Sequence, residues 1–325
     1  MPWFIGFVSP LQIAQAAFVY QRGQGFGESA YQRFLKSQRI GEIADFVRAG
    51  NSFPNAIVFA LPAGSSAPSG NGLITISIPG EPEGLKIIDG QHRFFGALAS
   101  GMNPKLLCTF VQADDLEQAL MFAKINGKQV SVNKGQLVSL FGIPGFAAKI
   151  ASGVAKNDHA KIDLEETLYR SLERMNARGP LAHRLNFYPG RPAGDMIPFK
   201  FLFDSAMAIA KVEQSGFRSL RGTPNERGKD FGDSLSAFLA AWQRLVGAAR
   251  FSDQEGWFQP TMLSALLLTY PDCRWAAGKG SADSWLNKHP RLTWKPRPQA
   301  YRGASGARNL AKILCRKLHI RSQFI

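Results

Sequence analysis

Cysteine is scarce in this chain. The three present, Cys108, Cys273 and Cys315, are odd in number and far apart, which fits neither a disulfide framework nor a zinc spacing. A reducing cytoplasm suits that usage best. Long apolar runs are also missing: the longest candidate, Met262 to Tyr270, falls well short of the roughly 20 residues that cross a bilayer. It reads as a buried helix or strand, and no membrane partner is expected. Ala14-Gln15-Ala16 imitates a signal-peptide cleavage site, but no basic leader precedes it and Pro10 and Gln12 interrupt the apolar stretch, so the segment reads as folded structure. No Gly-x-x-x-x-Gly-Lys-Ser/Thr run occurs, which excludes a P-loop enzyme. His159, His183, His289 and His319 take no ligand spacing, so no metal site is expected. The most telling shortage is of acid: from Arg274 to the end, Asp283 stands alone against 12 lysines and arginines.

What is present supports a sizeable core, with 325 residues at 45% hydrophobic composition, enough for one large or two modest domains. The net charge of +15 is unevenly placed, +3 in residues 1–150 and +12 in residues 151–325. The stretch from Arg274 carries +11 of it. There Trp275, Trp285, Trp294 and Tyr301 alternate with Lys288, Arg291, Lys295, Arg297 and Arg302, a composition suited to phosphate contacts and base stacking. Arg291, Lys295, Arg297, Arg302 and Arg308 are therefore the candidate contacts to double-stranded DNA. The alternative is a solvated basic surface whose aromatics belong to the core. Single-sign charge blocks repel and commonly mark interaction regions, which favours the polyanion surface.

Period and punctuation predict strands at Trp3 to Val8, Ala56 to Leu61, Leu85 to Ile88 and Leu106 to Val111, with a half-buried strand around Ile74, Ile76 and Ile78. Helices are predicted for Pro10 to Val19 behind Ser9 as N-cap, for Tyr31 to Arg48, for Gln91 to Ser100 and from Asp114-Asp115 to about Ile125. Gly23, Gly25 and Gly27 mark a loop over residues 20–29, and Pro62 to Asn71 marks another. From Gln136 onward helical patterns dominate: Leu164 to Ala177, Phe199 to Val212, Phe231 to Ala249, Thr261 to Leu268 and Ala307 to Leu318. Ser215 to Gly232, with Gly216, Gly222, Pro224 and Gly228 among Arg218, Arg221, Arg227 and Lys229, reads as an exposed basic loop that a ligand would order. The expected division is a mixed α+β domain over 1–145 and a mainly helical, basic region over 146–325.

The densest chemistry lies at Ile87-Ile88-Asp89-Gly90-Gln91-His92-Arg93, where a strand turns sharply into a helix. Glycine permits the turn, helix-start amides favour anions, and Arg93 would offer a two-pronged fork to a phosphate or carboxylate. Asp89 is either a metal or water ligand beside bound phosphates or the N-cap of the helix. His92 is either a general acid or base or a structural hydrogen-bonder. Arg93 is either a phosphate ligand or the partner of a carboxylate such as Asp89 or Glu42. Gln32, Arg33 and Arg39 are ligand contacts or merely the solvated start of a helix. Asn126, Gly127 and Lys128 make an ordinary helix stop by themselves.

Asp89 to Arg93 matches, letter for letter, the signature of the DGQHR-domain family, which includes Dnd B-type proteins of DNA sulfur modification (phosphorothioation) and relatives in 7-deazaguanine DNA modification. The chain also resembles that family at Tyr31-Gln32-Arg33, Arg39 to Ala44, Phe53-Pro54-Asn55, Ile125 to Gln129, Asn176 to Leu181 and Gly303 to Arg308. More loosely, the turn looks like the nucleotide box of the ParB and sulfiredoxin superfamily, which implies a ParB/sulfiredoxin-like mixed-sheet N-terminal domain. Sulfiredoxin's cysteine is replaced here by Gln91, which argues against thiol chemistry. The resemblance implies a cytoplasmic DNA-associated protein, working with other DNA-modification proteins. It also implies nucleotide phosphates held by Gly90, Gln91, Arg93, Asn126 and Lys128. ATP or another nucleoside triphosphate with Mg²⁺ would be the cofactor, and Asp89 and His92 the groups acting on it. The same resemblance allows a transcriptional regulator without chemistry. A nuclease ranks below both, because the cluster of carboxylates that two-metal cleavage ordinarily needs is absent near Asp89.

Overall fold

A computed structural model describes residues 3–19, 32, 35–62, 65, 69–70, 73–74, 76, 84–127, 134–152, 156–187, 196–252, 255–294, 296 and 300–325. The chain is α+β and falls into two compact units, residues 1–150 and 151–325.

The first unit runs β1 (Trp3–Val8), α1 (Pro10–Ile13), β2 (Ala17–Phe18), α2 (Ser37–Arg48), β3 (Ile57–Leu61), β4 (Ser69–Gly70), β5 (Leu73–Ile74), β6 (Leu85–Asp89), α3 (Gln91–Ser100), β7 (Leu106–Gln112), α4 (Asp115–Gly127), α5 (Lys134–Ser139) and α6 (Phe146–Ser152). Five strands form one mixed sheet in the order β1-β7-β3-β6-β2. β3 lies antiparallel to β6 and parallel to β7, so its apolar run Ile-Val-Phe-Ala-Leu sits mid-sheet, as a strand buried on both faces demands. The register sets Phe4 and Phe59 beside Phe110, and Ile87 beside Phe59. Phe59 stacks on Phe110 at 5.4 Å, and Phe94 of α3 meets Phe59 edge-on at 5.8 Å. This aromatic layer anchors α3 to the sheet directly behind the Asp89–Arg93 turn.

α3 also packs closely on α2. A Cβ at Gly96 would lie 2.3 Å from Ile43 Cγ2, so glycine is required at that crossing. Two predicted helices prove shorter than their patterns. α1 ends at Ile13, because Ala17–Phe18 pairs in parallel with Leu85 and Lys86, and Ala16 O accepts Leu85 N–H at 2.7 Å. Sheet pairing outweighs local helix propensity there. α2 begins at Ser37: Gln32, Leu35 and Lys36 of its predicted start are not helical, while Tyr31, Arg33 and Phe34, like the loop over 20–29, lie outside the described residues.

The second unit is mainly helical: α7 (Lys156–Ala177), β8 (Leu185–Asn186), β9 (Ile197–Pro198), α8 (Phe199–Ala210), α9 (Pro224–Val246), α10 (Pro260–Leu268), α11 (Tyr270–Ala276), α12 (Ala282–Leu286) and α13 (Gly303–Lys317). Met262 to Leu267 are buried in α10, the helix outcome for the long apolar run. Among the described residues no helix is long and apolar enough to cross a membrane.

The basic loop expected over Ser215 to Gly232 is confined to its first part, because from Pro224 onward the segment is helix. Short 3₁₀ turns at Glu213–Ser215 and Phe217–Ser219 lead into α9, which starts at Pro224 behind a Thr223–Glu226 capping box. Gly228 and Gly232, one turn apart, face α7: a Cβ would come within 2.5 Å of Arg170 Cβ at the first and 2.6 Å of Ser171 O at the second. Those glycines mark a helix crossing, not chain flexibility. Arg227 is likewise structural, pairing with Asp163 at 2.5 Å, whereas Arg218 and Arg221 are exposed. Asp233 of α9 binds Arg174 at 2.6 Å and also Arg178.

Candidate functional site

The Asp89–Arg93 turn is built by Gly90, whose φ of 88° and ψ of 15° put it in the left-handed region. A side chain there would be strained by backbone conformation and would meet Arg93 Nη2 and Ile57 Cγ1, each 3.0 Å from an ideal Cβ. Gly90 O accepts the first helical bond, from Phe94 N–H at 2.9 Å. α3 opens with no side-chain cap and no acidic residue in its first turn, and the first-turn amides of any helix lack intrahelical acceptors. Around this opening lies a cleft of about 300 Å³, lined by Arg39, Asn55, Asp89, Gly90, Gln91, His92, Arg93 and Asn126 with Ile43, Ile88 and Phe122 as apolar walls.

Arg93 does not point its fork at open space. Its Nη2 pairs with Asp89 Oδ2 at 2.8 Å, while Nη1 donates to Asn55 O at 2.6 Å and Ala56 O at 3.3 Å. Of the two carboxylates weighed as partners, Asp89 is the one engaged; Glu42 pairs with Arg39 at 3.1 Å. Asp89 is accordingly not the N-cap, a position that falls to Gly90. His92 Nε2 accepts the backbone N–H of Lys36 at 3.2 Å. That bond needs a lone pair on Nε2, so neutral His92 carries its proton on Nδ1. The imidazole thereby caps the start of α2.

Gln32 is almost fully buried and donates through Nε2 to Ile88 O at 3.0 Å and to Ile87 O. It clamps β6 just before the turn. Asn126 is buried inside α4, donating to Phe122 O at 2.8 Å, and lines the cleft. Gln91 is buried to 8% exposure and lines the cleft, and its Oε1 has no hydrogen-bond partner. A buried unmet acceptor costs about 1–3 kcal/mol, so this amide is a ready partner for a ligand N–H or O–H. Asn55, also at the cleft, had no signal of its own beyond its place in Phe53-Pro54-Asn55. Arg33 and Lys128 lie outside the described residues.

The described residues of the cleft do not make a metal site. Asp89 is the one carboxylate among its described lining residues and is already paired with Arg93. No group of three His, Cys, Asp or Glu side chains able to hold a metal occurs among the described residues. Burial pushes the Cys108 thiol up to about 12, with Arg93 opposing, so no thiolate is on offer at neutral pH.

In the second unit Arg291, Arg302 and Arg308 are exposed, while Lys295 and Arg297 lie outside the described residues. Of the interleaved aromatics, Trp285, Trp294 and Tyr301 are half-buried. Trp294 meets the fully buried Trp257 edge-on at 5.8 Å, and Trp285 lies 4.0 Å from His289. Trp275, at 51% exposure, is the tryptophan left facing solvent among them.

Compared with known proteins, the chain matches no family model and no curated protein. The resemblance at Asp89–Arg93 therefore stands on those residues and their surroundings.

Proposed function

We propose that this is a cytoplasmic DNA-binding accessory protein of a DNA-modification system, of the phosphorothioation or 7-deazaguanine type. On this reading its first unit is a ParB/sulfiredoxin-like domain that holds a nucleoside triphosphate at the Asp89–Arg93 turn, and its second unit holds double-stranded DNA. The observation that carries the reading is the cleft at the uncapped start of α3. It offers main-chain amides for an anion and the unmet Gln91 Oε1 for a donor, which suits a phosphate-bearing ligand. Any Mg²⁺ would come with the nucleotide's own phosphates, and no step is assigned to it. The positive charge of the second unit supports the DNA partner.

A second reading, a regulator of its own operon without hydrolysis, is favoured by one specific observation. Arg93 is committed to Asp89 and two backbone carbonyls, as in a structural or ligand-sensing turn. Nucleotide hydrolysis by the purified chain, with and without duplex DNA, separates the two. DNA-stimulated turnover that is lost in a folded Arg93→Ala variant supports the first. No turnover by wild type, with duplex binding intact and selective for one promoter sequence, supports the second.

A further inference from the structure

We propose that the outer face of α13 is a docking surface for the phosphates of duplex DNA, with Arg308, Lys312 and Arg316 as its central row. The inference rests on the DNA half of the reading above, and it names the surface and the form of the nucleic acid.

α13 has two unlike faces. Gly306, Ala307, Leu310, Ala311, Leu314 and Cys315 are buried, whereas Arg302, Ser305, Arg308, Asn309, Lys312, Arg316 and Lys317 are exposed. The three central cations recur every four residues, so they rise along one face in steps of about 6 Å. A row about 12 Å long passes several phosphates, because each strand of the duplex carries one per roughly 3.4 Å of axis.

The sequence around these cations is short of acid. Residues 284–325 contain no Asp or Glu, and Arg308, Lys312 and Arg316 have no ion-pair partner among the described residues. Elsewhere in the unit, Arg170, Arg174, Arg178, Lys200 and Arg227 are all paired with carboxylates. Residues 151–273 sum to only +1. The net charge of the unit is thus gathered in its last segment, where α13 carries four of the ten described cations.

The alternatives fit this face less well. A membrane surface would need the apolar side of the helix, which is buried in the protein. Single-stranded nucleic acid is held chiefly by aromatic stacking, and α13 contains no aromatic residue. Paired-strand phosphates ask only for an ordered row of cations.

The test uses the full chain and a labelled duplex of about 25 base pairs, followed by anisotropy across about 50–200 mM salt. Wild type is compared with the triple variant Arg308→Ala, Lys312→Ala, Arg316→Ala and with a charge-matched control, Lys105→Ala, Lys211→Ala, Lys229→Ala. All six positions are exposed, and melting temperatures confirm that each variant is folded. The triple variant is expected to lose about tenfold or more in affinity, alike on unrelated sequences, and to lower the slope of log affinity against log salt by about 2 to 3. The control should stay within about twofold, and Arg308→Lys with Arg316→Lys should keep binding. Duplex binding by the triple variant equal to that of the control overturns the α13 surface while leaving the DNA reading intact. No duplex binding by wild type overturns both. Preference for single strands, or loss in the triple variant only of binding to phosphatidylserine vesicles, overturns the duplex assignment.

Discussion

Arg93 is the residue at which ligand binding and fold maintenance make opposite forecasts. Its guanidinium bridges Asp89 on β6 to the carbonyls of Asn55 and Ala56 just before β3, so it ties two strands together at the lip of the cleft. Both members of the pair are about a quarter or less exposed, and removing one strands the other. Arg93→Ala should therefore cost about 2 kcal/mol in urea unfolding, with Arg93→Lys recovering part of it. A loss below about 0.5 kcal/mol together with abolished nucleotide binding would instead make Arg93 a ligand residue. Asp233 gives a second single-residue forecast, one that depends on pH. Burial would raise its carboxyl, but hydrogen bonds from Arg174 and Arg178 outweigh burial and hold it below the usual carboxylate range. A depressed folded value means that the stabilisation is fully present above the ordinary carboxylate range and is lost as pH falls from that range through the lowered folded value. Asp233→Asn should thus melt below wild type at neutral pH, with the gap closing in acid. A gap unchanged from neutral pH to strongly acid conditions would show that the ion pairs are not its source.

At the level of elements, glycine spacing on α9 is what the sequence concealed. Gly228 and Gly232 among four basic residues carry the composition of a loop, yet they sit on the buried side of a helix pressed onto α7. In an open helix each glycine would cost about 1 kcal/mol against alanine; here any side chain collides with the main chain or side chains of α7. Gly232→Leu should destabilise the second unit by more than about 3 kcal/mol, measured as a shift in its denaturant midpoint, because overpacking and lost helix contact add. A shift under 1 kcal/mol would mean that the crossing is loose. Strongly patterned elements were legible from sequence alone: β1, β3, β6, β7, α3 and α10 lie within a residue or two of where alternation and apolar period put them. So was the left-handed glycine at position 90. Partner choice was not legible. Nothing local says that Ala17 pairs with Leu85, that His92 caps α2 or that Arg93 bonds Asn55, since these contacts span dozens of residues. The cationic row on α13 was readable in principle, because Ala307, Leu310, Ala311 and Leu314 fix the buried face and leave Arg308, Lys312 and Arg316 outside.

For the molecule as a whole, charge and core are divided along the same line. The first unit has its own sheet-centred core around Phe59, Ile87 and Phe94 and a net charge of +3, whereas residues 151–325 carry +12. The second unit has separate buried aromatics of its own, including Phe199, Phe231, Phe238, Trp242 and Trp257. A chain of about 170 residues can bury roughly 70% of its surface, enough for independent folding. Cutting between α6, which ends at Ser152, and α7, which begins at Lys156, should therefore yield a C-terminal fragment that unfolds cooperatively on its own. Since phosphate contacts depend on the charges that fragment keeps, it should retain duplex binding with nearly the full-length salt slope. The N-terminal fragment should keep any nucleotide affinity and lose the DNA. A C-terminal fragment that folds but binds duplex with a slope smaller by 2 or more would place essential phosphate contacts in the first unit, and the charge difference between the halves would then not be what selects the DNA surface.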